Sequence, residues 1–261
     1  MKVKFVVAYD GTDFSGWATQ TGRRTVQGTL TEAVRHISGE ENEIWGASRT
    51  DGGAHAAGQV CHFDTDCRVP VDRWPRILRA ILPYDVTVVS SREVPDWFHS
   101  RFSVDFRHYR YRIQTGDYDP LRGRFIYPYG RPLQLDLMQR AASELAGRHD
   151  FRAFTEELEP HVQNTVRELY RFEVKQVRDE VWVDVYGTAF MRGMMRRMAG
   201  CLFEIGTGRR NIAEVSQLLD PQERHHLQWP VVLPAKGLCL REVRYARKRT
   251  DHRIAKENLD S

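Results

Sequence analysis

Two successive runs of one order, strand, helix, strand, strand, helix, strand, constrain this chain more than any other feature of it. Lys2 to Tyr9 alternates, is rich in Val and Phe, and stops at the Asp10-Gly11 turn signal, which predicts a strand. Val26, Leu30, Ala33, Val34 and Ile37 recur at helical spacing, with Thr25 placed as N-cap and Gly39 as the C-terminal stop. Two strand-like segments, Glu43 to Ala47 and Gln59 to Asp64, are joined by the small, polar loop Ser48 to Gly58. Trp74, Ile77, Leu78 and Ile81 predict a short helix closed by Pro83, and Asp85 to Ser91 is a β-branched strand.

The second run begins with a strand around Arg107 to Gln114. A long connection from 115 to 134 carries Pro120, Pro128 and Pro132. Leu137, Met138, Ala141, Ala142 and Leu145 share one helix face, with Asp136 and Gln139 as a capping box and Gly147 as the stop. Tyr170 to Gln176 and Val181 to Tyr186 predict a hairpin around Arg178-Asp179-Glu180. Phe190 to Ile205 reads as a Met-rich helix, and Leu238 to Tyr245 as the last strand. The fold class this implies is α+β: two ferredoxin-like βαββαβ halves forming a broad antiparallel sheet, with helices on one face. The boundaries are 1–103 for the first half, 104–246 for the second, and a polar tail over 247–261.

Composition narrows the classes. At 41% apolar residues the chain can bury a core, so disordered and fibrous classes are excluded. No apolar run approaches the roughly 18 to 20 residues of a bilayer span, and the run Phe5 to Tyr9 meets Asp10 too early for a signal-peptide core, so a cytoplasmic protein without a membrane partner is expected. Cys61, Cys67, Cys201 and Cys239 form no CxxC pair, and reduced, metal-free thiols are expected. The net charge of +4 decides little. Arginines nevertheless bunch at Arg107/Arg110/Arg112, Arg122/Arg124, Arg192/Arg196/Arg197, Arg209/Arg210 and Arg244/Arg247/Arg249. A planar guanidinium suits phosphate, so these clusters fit a polyanion; each alone also fits a solvated face.

Ser48-Arg49-Thr50-Asp51-Gly52-Gly53-Ala54-His55-Ala56 is the most informative segment. It puts an acid, a cation and an imidazole beside two glycines that permit unusual backbone angles. Taken by itself, an Asp-Gly-Gly turn equally suits a plain surface loop.

The same segment resembles the GRTDxGVHA signature of the tRNA pseudouridine synthase A family. Ser48, Gly52 and Ala54 depart from it; Arg49, Asp51, Gly53 and His55 keep it. The likeness runs to about residue 246 through Tyr9-Asp10-Gly11, Phe14-Ser15-Gly16-Trp17, Thr25 to Gly28, Phe98 to Phe102, Tyr109-Arg110-Tyr111, Asp150 to Phe154, Thr165 to Arg167, Phe190 to Gly200 and Pro234 to Leu238.

The resemblance implies an isomerase that turns uridine into pseudouridine in the anticodon stem-loop of tRNA, works as a homodimer, and uses no cofactor and no metal. It makes Asp51 the catalytic carboxylate. Such a group can stabilise or trap C1′, attack the uracil ring, or remove a sugar proton, and all three routes stay open. Tyr109 becomes the ring beside the target base, Arg49 the residue that takes the place of the extruded base, and Arg196 the basic partner of the aspartate. Without the family, Tyr109 reads as sheet core and Arg196, nearly opposite the Met face of its helix, as a solvated arginine. His55 reads as a structural, loop-ordering histidine, and Trp17, Trp45 and Trp97 as core rings or nucleotide contacts. The rivals are a non-catalytic RNA-binding or RNA-chaperone protein on the same scaffold, and a nucleoside hydrolase.

Overall fold

The computed structural model describes residues 1–155 and 164–245. In chain order the first elements are β1 (Lys2–Tyr9), α1 (Val26–Ser38), β2 (Trp45–Gly46), β3 (His55–Asp64), α2 (Trp74–Leu78) and β4 (Val86–Val94). Then come β5 (Phe106–Gln114), β6 (Tyr127–Pro128), α3 (Leu135–Leu145), β7 (Gly147–Asp150), β8 (Val166–Val177) and β9 (Glu180–Gly187). The last are α4 (Met194–Gly206), α5 (Glu214–Leu219) and β10 (Leu238–Arg244). The class is α+β. By their contacts the described residues fall into two compact units, 1–105 with 239–245, and 106–155 with 164–238.

In the first unit β1 lies between β4 and β3, and β2 flanks β3, all antiparallel. That is the ferredoxin-like order, because α1 joins β1 to β2 and α2 joins β3 to β4, strands that do not pair with each other. The core is aromatic: Phe5 and Phe63 meet edge-on at 5.0 Å, and Trp74 closes the group at 5.6 and 5.7 Å from them. Burial of rings of this size contributes roughly 1.5–3 kcal/mol each. Helix α1 ends as its sequence predicts. Thr25 accepts from the Gly28 amide at the N-cap, and Gly39 takes the left-handed conformation at the C-cap, with φ 72°.

One expectation for this unit needs correction. The strand after the glycine loop starts at His55, four residues before Gln59, because Ala56 pairs with Tyr9 and cross-strand pairing overrides alanine's weak β preference. Strand β10 pairs in parallel with β3, Cys239 opposite His55 and Leu240 opposite Ala56, and by their contacts residues 239–245 group with the first unit.

In the second unit the order is β5-β9-β8-β7, antiparallel throughout, with β6 beside β5 in parallel. Strands β6 and β7 are additions to the sequence reading. Helix α3 buries Met138, Ala141, Ala142 and Leu145 as expected, but its N-cap is Gln134, which makes no side-chain cap bond. Asp136 therefore lies inside the helix, and Gln139 donates instead to the Val174 carbonyl at 3.1 Å. Helix α4 begins at Met194, not Phe190, because Gly193 stands in the left-handed region at φ 67° and breaks the turn before it. The polar tail 247–261 lies outside the described residues. Among the described residues, no helix is long and apolar enough to cross a membrane.

Candidate active site

Asp51 opens a tight turn in the first unit. The Ala54 amide donates to the Asp51 carbonyl at 3.1 Å, and Gly53, third residue of the turn, has φ 80°. A type II turn demands such an angle there, and glycine adopts it without strain. Two lengths of backbone then hold this turn against residues 11–17. The Trp17 amide donates to the Thr50 carbonyl at 3.1 Å, and the Gly53 amide to the Phe14 carbonyl at 3.2 Å. The approach is close enough that a Cβ at Gly11 would lie 1.8 Å from the Ala54 oxygen, and one at Gly16 2.6 Å from the Thr50 oxygen.

Side chains pin the rest of the loop. Tyr9 and Thr50 share a buried hydroxyl hydrogen bond of 2.8 Å. Gln59 is wholly buried; its Nε2 donates to the Ser48 carbonyl at 2.7 Å and its Oε1 accepts from the Ser48 amide at 3.3 Å. His55 accepts the Gly11 amide on Nδ1 at 3.0 Å, with Asp10 Oδ1 3.2 Å from the same nitrogen. It orders the loop, as the sequence suggests. Arg24 doubly bonds Asp85 at 2.8 and 2.9 Å and lies 3.9 Å over the Phe14 ring, which anchors the segment that clamps the turn. Out of this frame Asp51 is presented half-buried, with Arg49 exposed two residues before it. Sequence reasoning missed Gln59. The signal was available: an amide side chain in the middle of an apolar strand must find partners when it is buried.

Tyr109 and Arg196 belong to the second unit. Tyr109 on β5 is 4% exposed and meets Phe190 edge-on at 5.0 Å. Its neighbour Tyr111 is fully buried and donates to the Pro234 carbonyl at 2.7 Å. Burial first, then Tyr127, push the Tyr111 phenol above its ordinary range, against the opposing charge of Arg196. Arg196 is half-buried rather than solvated, its Nε donating to the Leu233 carbonyl at 2.7 Å. The segment around Val231 covers that side of α4. It comes so near that a Cβ at Gly200 would meet the Val231 oxygen at 1.8 Å.

Most of the arginine clusters have carboxylates or carbonyls of their own. Arg110 bonds Asp184 through two nitrogens at 2.8 and 3.1 Å and stacks 3.8 Å over Trp182. Arg112 bonds Glu180; Arg122 bonds Asp119, Asp179 and Glu180. Arg107 donates to the Thr188 carbonyl, Arg197 to Pro230, and Arg210 to Glu204 and Glu214. Asp184 is buried, which opposes its charge. Hydrogen bonds from His108 and Arg110 nonetheless hold its carboxyl below the ordinary range. The first partners of these arginines thus lie within the fold.

The family model described as tRNA pseudouridine synthase matches residues 5–103 and 141–246. The chain belongs to the tRNA pseudouridine synthase family. Its match contains Arg49, Asp51 and Arg196, while Tyr109 falls between the two matched parts. Two curated members of the family, each named tRNA pseudouridine synthase A, are 40% identical to it: one from Brevibacillus brevis over 245 residues, the other from Bacillus pumilus over 250. Each alignment covers 94% of this chain and 99% of the relative. Among solved structures, a Cbf5-Nop10-Gar1 complex matches 77% of this chain and 45% of the other at 13% identity, with a TM-score of 0.36, too low to bear on fold or function.

Proposed function

We infer that this member of the tRNA pseudouridine synthase family isomerises uridine to pseudouridine in the anticodon stem-loop of tRNA, in the cytoplasm and as a homodimer, with Asp51 as the catalytic carboxylate. The bond from N1 to C1′ breaks, the uracil turns while bound, and C5 joins C1′. The hydrogen leaving C5 goes to solvent and N1 gains one, so nothing is oxidised and no group is lost. Arg49 fills the gap left by the extruded base, Tyr109 offers the uracil a ring and a hydroxyl, and Arg196 keeps the carboxylate ionised.

The observation that carries this reading is the turn itself. Arg49, Asp51, Gly53 and His55, the residues that keep the family signature, stand on a loop fixed by Gln59, Thr50 and two glycine contacts. A carboxylate held in one geometry acts on a bound base without first being ordered, which favours chemistry over simple RNA binding.

The test is Asp51→Asn with unmodified tRNA transcripts, pseudouridine being mapped chemically. Product is expected to vanish with RNA binding largely intact. Undiminished product would remove Asp51 from the mechanism, and free uracil in the chromatogram of the wild-type reaction would favour a hydrolase.

A further inference from the structure

Part of the first unit turns aromatic rings to solvent. Trp97 is 73% exposed, Phe102 75% and Trp45 40%. His99 touches two of these rings, with its centroid 4.4 Å from Phe102 at a tilt of 34° and 5.3 Å from Trp45 at 62°. The Arg101 guanidinium lies 5.8 Å from the Phe102 centroid.

These rings are held from beneath. Ser100 is wholly buried; its Oγ donates to the Trp45 carbonyl at 2.6 Å, and its carbonyl accepts the Tyr245 hydroxyl at 2.7 Å. The Ser103 amide donates to the His99 carbonyl at 3.0 Å, and the His99 amide to Ser103 Oγ at 3.1 Å. The Arg101 amide donates to His99 Nδ1 at 3.1 Å, which leaves Nε2 to carry the proton of the neutral ring. Rings on so constrained a turn lose little freedom when another plane stacks on them.

The chemistry of the surroundings selects the occupant. Burial first, then the positive charges of Lys2 and Arg101, hold the His99 imidazole below its ordinary range. Cations beside exposed π faces suit flat bases strung on an anionic backbone. The large exposed apolar side chains of this turn are aromatic, where an apolar protein partner would be met by aliphatic ones as well.

We propose that Trp45, His99 and Phe102, with Arg101, form a stacking platform for an unpaired nucleotide of the RNA substrate, built from residues other than those of the Asp51 loop. The proposal rests on RNA being the substrate class, and adds affinity rather than a chemical step.

The test titrates the full chain into a short fluorescein-labelled oligouridylate and follows anisotropy. Stacking is worth roughly 1–3 kcal/mol per base, so Phe102→Ala should weaken binding on the order of tenfold or more. Phe102→Tyr, which keeps the ring, should bind as the wild type does, and heparin, an anion without bases, should not distinguish the three. Unchanged binding by Phe102→Ala, an equal loss towards heparin, or no rescue by tyrosine would overturn the platform. So would a change of assembly size in sedimentation, which would make the rings a protein contact. Ring-dependent binding without pseudouridine formation leaves the platform standing and removes the isomerase; pseudouridine formation with ring-independent binding does the reverse.

Discussion

Replacing Gly11 with alanine moves the Asp51 turn without touching Asp51. The added Cβ would stand 1.8 Å from the Ala54 carbonyl oxygen, whereas real Cβ atoms essentially never come within 3.0 Å of such an atom and sit in ordinary contact only from 3.4 Å. Since the obstacle is backbone, the turn must recede by roughly 1.2–1.6 Å, the difference of those distances. A misplacement of about 1 Å in a catalytic group can cost on the order of a hundredfold in rate, or about 2.7 kcal/mol of barrier. The assay is single-turnover release of tritium from tRNA labelled at uracil C5, run below the thermal transition of each variant as judged by circular dichroism. Gly22→Ala is the control. Gly22 has φ 69° with nothing near its missing Cβ, so the substitution adds strain of roughly 1–2 kcal/mol and leaves the rate alone. Folded Gly11→Ala releasing tritium at close to the wild-type rate would refute the argument that these backbone contacts position the carboxylate.

Gln59→Leu strips the Ser48 amide and carbonyl of their side-chain partner in a buried setting; a loss of roughly 1–3 kcal/mol is expected in urea unfolding, and a midpoint equal to the wild type's would show that the loop finds other partners. Burial, with the charges of His99 and Lys2, lowers His62 from 6.5 to about 4, so the folded state resists its protonation. Stability should thus be complete above pH 6.5 and fall as the pH drops from there towards 4, and His62→Gln should flatten the part of that slope lying above the carboxylate range.

Where sequence and structure agree, the cause is local. Thr25, Gly39 and the apolar stripe between them specify α1 from within a single stretch, because capping and periodicity need no distant partner. The motif Arg49 to His55 was legible as a loop for the same reason: adjacent glycines weaken a helix or strand but supply the positive-φ angles that a turn uses. What sequence could not reveal comes from remote chain. A helical wheel leaves Arg196 in water, since nothing in α4 announces that residues 230–234 will lie across its outer side. The pair Asp136 and Gln139 looks like a capping box, yet Val174, 35 residues on, claims the glutamine. The arginine clusters give no hint in sequence of their internal partners, because Asp184 and Glu180, which pair with Arg110 and Arg112, sit on a neighbouring strand some 70 residues away.

The parallel pairing of Cys239 and Leu240 with His55 and Ala56 sets a condition on biosynthesis. The residues directly following the Asp51 turn receive their last neighbour from a strand that leaves the ribosome more than 180 residues later, and Gly58 is shaped for it, since a Cβ there would strike the Arg241 oxygen at 2.5 Å. A nascent chain halted anywhere before residue 239 therefore carries the signature loop with one flank unsupported. Truncated translation products would be poor competitors for RNA, and competence would arrive only with the final strand.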